Sequence, residues 1–116
     1  MTNYRELLVW QKAMDAAEQV YRLVKLLPRE EQFELSSQLR RAAVSIPSNI
    51  AEGQARNSTK EFVNFLSIAR GSTAELETQL MLCVRLNYLQ QTQIDPVFNL
   101  CDEISRMLTS LITKLK

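Results

Sequence analysis

STKEFVNFLSIARGSTAELETQLMLCVRLN, residues 58–87, decides the fold. Ser58 and Glu61 stand three apart, so a hydroxyl at the cap and a carboxylate reaching back to the cap's amide can open a helix. Behind them Phe62, Phe65 or Leu66, Ala69, Thr73, Leu76, Leu80, Cys83 and Asn87 recur at steps of three and four, which places them on one helical stripe. A stripe of about 30 residues is long for a globular helix and ordinary in a helix bundle. A second apolar set, Val63, Met81, Leu82, Val84 and Leu86, lies off that stripe.

Upstream, Leu35, Leu39, Ala42, Ala43, Ile46 and Ile50 form a second stripe. Glu30 and Glu31 after Pro28 suit the positive end of its dipole, and Gly53 with the polar residues after it ends it. Pro47 removes a hydrogen bond inside this helix, and because the stripe keeps its phase the spacing predicts a kink there, not a break. Further upstream, Leu7, Trp10, Met14, Ala17, Tyr21 and Val24 make the first stripe, widened by Ala13, Val20 and Leu27. Downstream, Val97, Leu100, Cys101, Ile104, Leu108, Leu111 and Leu115 make the fourth. Thr92 with Asp95, or Asp95 followed by Pro96, both fit as its cap.

The expected fold is all-α, an antiparallel up-down-up-down four-helix bundle in one domain over residues 1–116 with helix 2 kinked at Pro47. Its helices span about 7–27, 29–54, 59–88 and 94–115. Folding each hairpin about its turn sets Tyr21 near Leu35, Ala17 near Leu39, Met14 near Ala42 and Trp10 near Ile46. By the same construction Ala42 and Ala43 meet Ala69, Ile50 meets Phe62, and Cys83 and Cys101 come level.

Two glycines and three prolines in 116 residues exclude an all-β fold, which needs turn residues throughout. A formal net charge of +1 supplies no global field for nucleic acid or membrane phosphates. No apolar run is long enough to span a membrane, and the N-terminal MTNYRELLVW lacks a signal-peptide core, so a cytoplasmic protein is expected. In that reducing compartment Cys83 and Cys101 are expected as buried thiols.

The chain has no histidine, which removes the commonest general base and metal ligand. Glu52, Glu75, Glu77 and Glu103 have no Glu-x-x-His partners for a di-iron site, and Gly53 and Gly71 are isolated, so no phosphate loop exists. No catalytic residue, metal or cofactor is expected. A polar stripe does run beside the apolar one on helix 2, through Arg41, Ser45, Ser48, Glu52 and Arg56, and helix 3 answers with Arg70, Gly71, Ser72 and Glu75. One reading pairs Arg41 or Arg70 with Glu52 or Glu75 to fix helix register; the other builds a polar pocket or anion site from Arg41, Arg70 and Asn49.

Between Leu35 and Gly53 the only charges are Arg40, Arg41 and Glu52, too few for a helix with an exposed face. With the second apolar set on helix 3, this points to a surface covered by further copies of the chain.

The segment QLRRAAVSIPSNIAEGQARNSTKEFVNFLSIARGSTAELETQL, Gln38 to Leu80, strongly resembles the four-helix-bundle family of 23S ribosomal RNA intervening-sequence proteins. SIPSNIAEG, Ser45 to Gly53, and ARGSTAELE, Ala69 to Glu77, carry the resemblance, and LLVWQKAM, Leu7 to Met14, matches the family's start. The resemblance implies a four-helix bundle that assembles into a ring-like homo-oligomer, a pentamer, with no established catalysis. The accessory protein of diversity-generating retroelements is similar in fold, and its implied role is binding nucleic acid and a reverse transcriptase through a strongly basic surface. The near-neutral charge balance here departs from that pattern.

Two functions of different class follow. One is an oligomeric scaffold or protein-interaction module. The other is an RNA- or DNA-binding protein in which assembly repeats Arg40, Arg41, Arg56, Lys60 and Arg70 into one basic surface.

Overall fold

The computed structural model describes residues 3–116. Four α-helices carry the chain: α1 Leu8–Val24, α2 Leu35–Gln54, α3 Thr59–Arg85 and α4 Gln91–Leu115, with 3-10 turns at Tyr4–Glu6 and Arg29–Glu31. No strand occurs among the described residues. Backbone contact links α1 to α2, α2 to α3, α3 to α4 and α4 back to α1, and no diagonal pair comes as close. This is the neighbour order of the up-down-up-down bundle expected from the four stripes. None of the helices is long and apolar enough to cross a membrane.

Each helix end has a local cause. Ser58 Oγ accepts the Glu61 amide at 3.1 Å and so caps α3 where expected, but the Glu61 carboxylate takes the Ser58 hydroxyl at 3.2 Å and not the Ser58 amide, so the reciprocal half of the capping box is not formed. At the far end Asn87 takes a φ of 62°, the Tyr88 amide donates to the Cys83 carbonyl, and the Asn87 amide donates to that of Val84. That pair of bonds is a Schellman motif; it stops α3 at Arg85, short of position 88. The second helix starts with its stripe at Leu35 and not at about 29, because Glu34 at φ −113° and ψ −103° lies outside helical space. Glu31 nonetheless serves it: Oε1 accepts the Leu35 amide at 3.3 Å, and Oε2 accepts the Tyr88 hydroxyl at 2.8 Å. One carboxylate therefore ties together the two connections at the same end of the bundle.

α4 begins earlier than either expected cap. Gln90 and Gln93 form a reciprocal box, the Gln93 Oε1 accepting the Gln90 amide at 2.8 Å, so Pro96 sits inside the helix instead of at its first position. α2 passes through Pro47 without a break.

The core corrects the reading of helix 1. Val9, Ala13, Ala16, Val20 and Val24 are buried, whereas Met14 and Tyr21 are 41% and 45% exposed. Trp10 and Ala17 are half-buried at its edge. Helix 1 carries two adjoining apolar arcs, and the arc with the smaller side chains is the one that faces α2 and α4. Alanines at Ala13, Ala16, Ala42, Ala43 and Ala69, all essentially inaccessible, let the helix axes approach closely, while Leu39, Ile46, Leu76, Ile104 and Leu108 fill the centre.

Cross-helix levels also shift. Ser45 Oγ stands 2.8 Å from Ser72 Oγ and Gln79 Nε2 reaches Gln38 Oε1 at 3.5 Å, so Ala43 lies level with about residue 74, not Ala69. The linker at 55–58 climbs past the end of α2 before α3 turns back. Arg70 Nη1 donates to Thr109 Oγ1 at 3.2 Å, and Glu77 lies beside Asp102 and Cys101. This register separates Cys83 from Cys101 by about five residues, or roughly 7 Å along the axis.

Both cysteines are free and buried. Burial pushes the Cys83 thiol from 9.0 up to about 11 and the Cys101 thiol up to about 12, with the Glu31 and Glu77 carboxylates adding to each in turn. Folded-state values above the unfolded value mean that this contribution is complete below pH 9.0 and is lost as pH rises through about 11 and about 12. The urea midpoint is expected to fall between about pH 8 and pH 10.5, and to fall less in a C83A/C101A variant. Equal pH dependence of the two proteins would contradict this.

Candidate functional site

The α2 helix has a groove on each flank, and the two differ in chemistry. Toward α1 the apolar arc that the sequence assigned to the core is open: Trp10, Met14, Ala17 and Tyr21 line one wall of a groove of roughly 700 Å³, and Val44, Pro47 and Ala51 the other. The Pro47 ring, whose position was fixed by sequence, here becomes part of that wall. Tyr4 closes one end, its ring meeting Trp10 edge-on at 5.4 Å, and the turn that carries it is held by Gln11 Nε2 donating to the Arg5 carbonyl at 2.9 Å. Glu18, Arg22 and Lys25 supply a charged rim.

Toward α3 the seam is polar. Ser45 and Asn49 stand one turn apart on α2, and Asn49 Nδ2 donates to the Ser45 carbonyl at 2.7 Å and to Ser45 Oγ at 2.9 Å. Ser45 Oγ makes a second hydrogen bond with Ser72 Oγ at 2.8 Å, in which either hydroxyl can donate. Gln38, Arg41, Ala42, Ser45 and Glu75 then line a cleft of roughly 400 Å³. Behind it the buried Gln79 amide donates at 3.4 Å to Glu75 Oε2 and at 3.5 Å to Gln38 Oε1, and its own Oε1 has no partner.

The charge pairs expected across this seam do not form. Glu52 takes Arg56 of its own helix at 2.7 Å, Arg70 turns to α4, and Arg41, though it shares the cleft with Glu75, has no ion-pair partner among the described residues. A partner one turn away costs less side-chain entropy to reach than one on another helix, so the intrahelical pair prevails. Hydroxyls and amides, not salt bridges, fix the α2–α3 register.

The five basic residues considered for nucleic acid are not gathered on one surface. Arg40 donates to the Gln32 carbonyl at 3.3 Å and shares a cleft beside Tyr21 with Arg41, which also borders the α3 seam. Arg56 is paired with Glu52 and Glu61 and stacked 4.9 Å over the Phe65 ring; Lys60 is exposed at the start of α3; Arg70 faces α4. Sequence reasoning missed Gln38 and Gln79 altogether. The available signal was Gln79 itself, a polar residue three after Leu76 and one before Leu80, on the stripe that points inward.

Residues 5–110 match the model of the 23S rRNA-intervening sequence protein family. The chain belongs to this family. No curated protein matches it. Among solved structures, a protein of unknown function from the S23 ribosomal protein family of Bacteroides thetaiotaomicron is similar, at 33% identity and a TM-score of 0.84, over 90% of this chain and 98% of that one. For this family member, then, likeness supplies the fold and leaves function to be argued from the two flanks of α2.

Proposed function

We propose that the protein is a non-enzymatic subunit of a homo-oligomer that serves as a protein-interaction scaffold. The observation that carries this reading is the α1–α2 groove: Met14, Tyr21 and Val44 remain exposed on a single concave surface with a charged rim, the pattern of a protein contact. A second copy is the favoured occupant, because the chain also carries a convex apolar flank. Ile68 and Leu82 are exposed on α3 and Leu86 at its C-cap, at spacings of fourteen and four that keep them near one azimuth. A groove and a ridge on different faces of one subunit suit a head-to-tail contact, which closes into a ring when the rotation allows. The family resemblance implies such a ring, of five subunits.

Charge placed in the groove tests it. Val44→Glu alters an exposed position, so the isolated fold should keep its stability to within about 0.5 kcal/mol. The variant is expected to sediment as a monomer with an unchanged helical circular dichroism spectrum, while the parent sediments as an oligomer. A variant that stays as large as the parent overturns the assignment of this groove. The nucleic-acid reading has weaker support, since Arg56 and Arg70 are already engaged within the chain.

A further inference from the structure

We propose that the turn between α1 and α2 is a docking finger, Phe33 of one copy seating in the α1–α4 groove of another with the finger's glutamates on the cations of the groove rim. Phe33 is 84% exposed, the barest large apolar side chain among the described residues. The turn that carries it is nonetheless fixed. The Glu31 amide donates to the Pro28 carbonyl and the Glu34 amide to the Glu31 carbonyl, each at 3.0 Å, and Arg40 holds the Gln32 carbonyl. The Glu31 carboxylate is in turn held by the Leu35 amide and the Tyr88 hydroxyl. An aromatic ring with few torsions, carried on a backbone already ordered, loses little entropy when it docks.

Charge selects the site it fits. Residues 29–34 hold one arginine against three glutamates, a net charge of −2. Glu30 and Glu34 are exposed and have no ion-pair partner among the described residues. The complement lies at the other end of the chain. Leu7 and Leu8 at the start of α1 and Met107 and Leu111 near the end of α4 line a groove of roughly 370 Å³, with Arg106 and Lys114 beside them and no carboxylate in the lining. Arg106 is shared with Asp102 one turn back, whereas Lys114 has no ion-pair partner among the described residues. The α1–α2 groove suits the finger less, because Glu18 on its rim would face Glu30 and Glu34. A chain cannot fill its own α1–α4 groove: Leu8 and Val24 stand at opposite ends of α1, roughly 24 Å apart, and Phe33 lies beyond the far end. The occupant is therefore a second copy. One fingertip is a small interface, which gains strength when an assembly repeats it. The contact rests on the reading that the chain self-assembles, but it uses neither the α1–α2 groove nor the α3 ridge.

Photocross-linking of the full chain carrying Phe33→p-benzoylphenylalanine tests the assignment, with isotope-labelled and unlabelled copies mixed so that links between copies are told from links within one. Cross-links from position 33 to Leu8, Met107 or Leu111 of another copy are expected. Glu34→Lys should lower their yield by at least about threefold, and Lys114→Glu added to it should restore the yield. Cross-links between copies that fall elsewhere, at Met14 or Tyr21 for example, overturn the proposal, as does a yield that neither charge reversal changes. Absence of any link between copies, in a protein whose light-scattering mass is that of an oligomer, overturns the finger and leaves the α1–α2 groove reading standing. Absence of links together with a monomeric mass overturns both.

Discussion

Gly53→Ala is expected to destabilise the protein by about 2 kcal/mol, although alanine is the better helix former. Gly53 lies in the last turn of α2, buried, with an ordinary helical backbone, so propensity alone would favour the substitution by about 1 kcal/mol. Packing reverses the sign. A Cβ at this position would stand 2.6 Å from Phe65 Cβ, 3.1 Å from Phe62 Cδ1 and 3.4 Å from the Phe62 carbonyl oxygen. Phe65 Cβ is fixed to the α3 backbone and cannot rotate away, so α3 itself must retreat from α2. Gly71, where an added Cβ meets nothing within 4 Å, is the internal control: Gly71→Ala should stabilise by about 1 kcal/mol. Urea midpoints at one protein concentration compare the two, since assembly would make stability concentration-dependent. Equal stabilisation by both substitutions would show that α2 and α3 do not meet at Gly53.

Leu76→Ala is expected to cost more, about 3 kcal/mol. Leu76 is inaccessible at the middle of α3, surrounded by a core in which Leu39, Ile46, Ile104 and Leu108 are equally buried. Truncation removes the transfer energy of three carbons and leaves a cavity that rigid helices cannot collapse around. Leu82→Ala, on the exposed flank of the same helix, should change the stability of the fold by no more than about 0.5 kcal/mol. A loss at Leu82 as large as that at Leu76 would mean that the burial pattern of α3 is wrong.

The architecture was legible in the sequence because four stripes, one helix cap and short connections all point to the same bundle. α3 read well: Ser58 caps it, and Leu66, Ala69, Thr73, Leu76, Leu80 and Cys83 are all buried. Helix 1 read less well for a physical reason. Its larger apolar residues, Trp10, Met14 and Tyr21, mark a stripe with perfect helical spacing, yet close helix packing selects the arc of Val9, Ala13 and Ala16. Periodicity reports that a face is apolar; it does not say whether the bundle or an outside surface covers it. The misassigned stripe is thus the groove on which the proposed function rests. The polar seam was found through Arg41, Asn49 and Glu75, but not its wiring. Arg56 competes for Glu52 from one turn away, Arg70 reaches across to Thr109, and the buried amide of Gln79 resembles surface glutamine until the register is known. That register depends on how the 55–58 linker climbs, which residue type does not encode.

Self-assembly is the central claim, and the mass of the native protein tests it most directly. Multi-angle light scattering of the full chain at micromolar concentration is expected to give a whole-number multiple of the 13.4 kDa subunit mass, five subunits if the ring implied by the family resemblance forms. A mass of 13.4 kDa under those conditions would contradict the account.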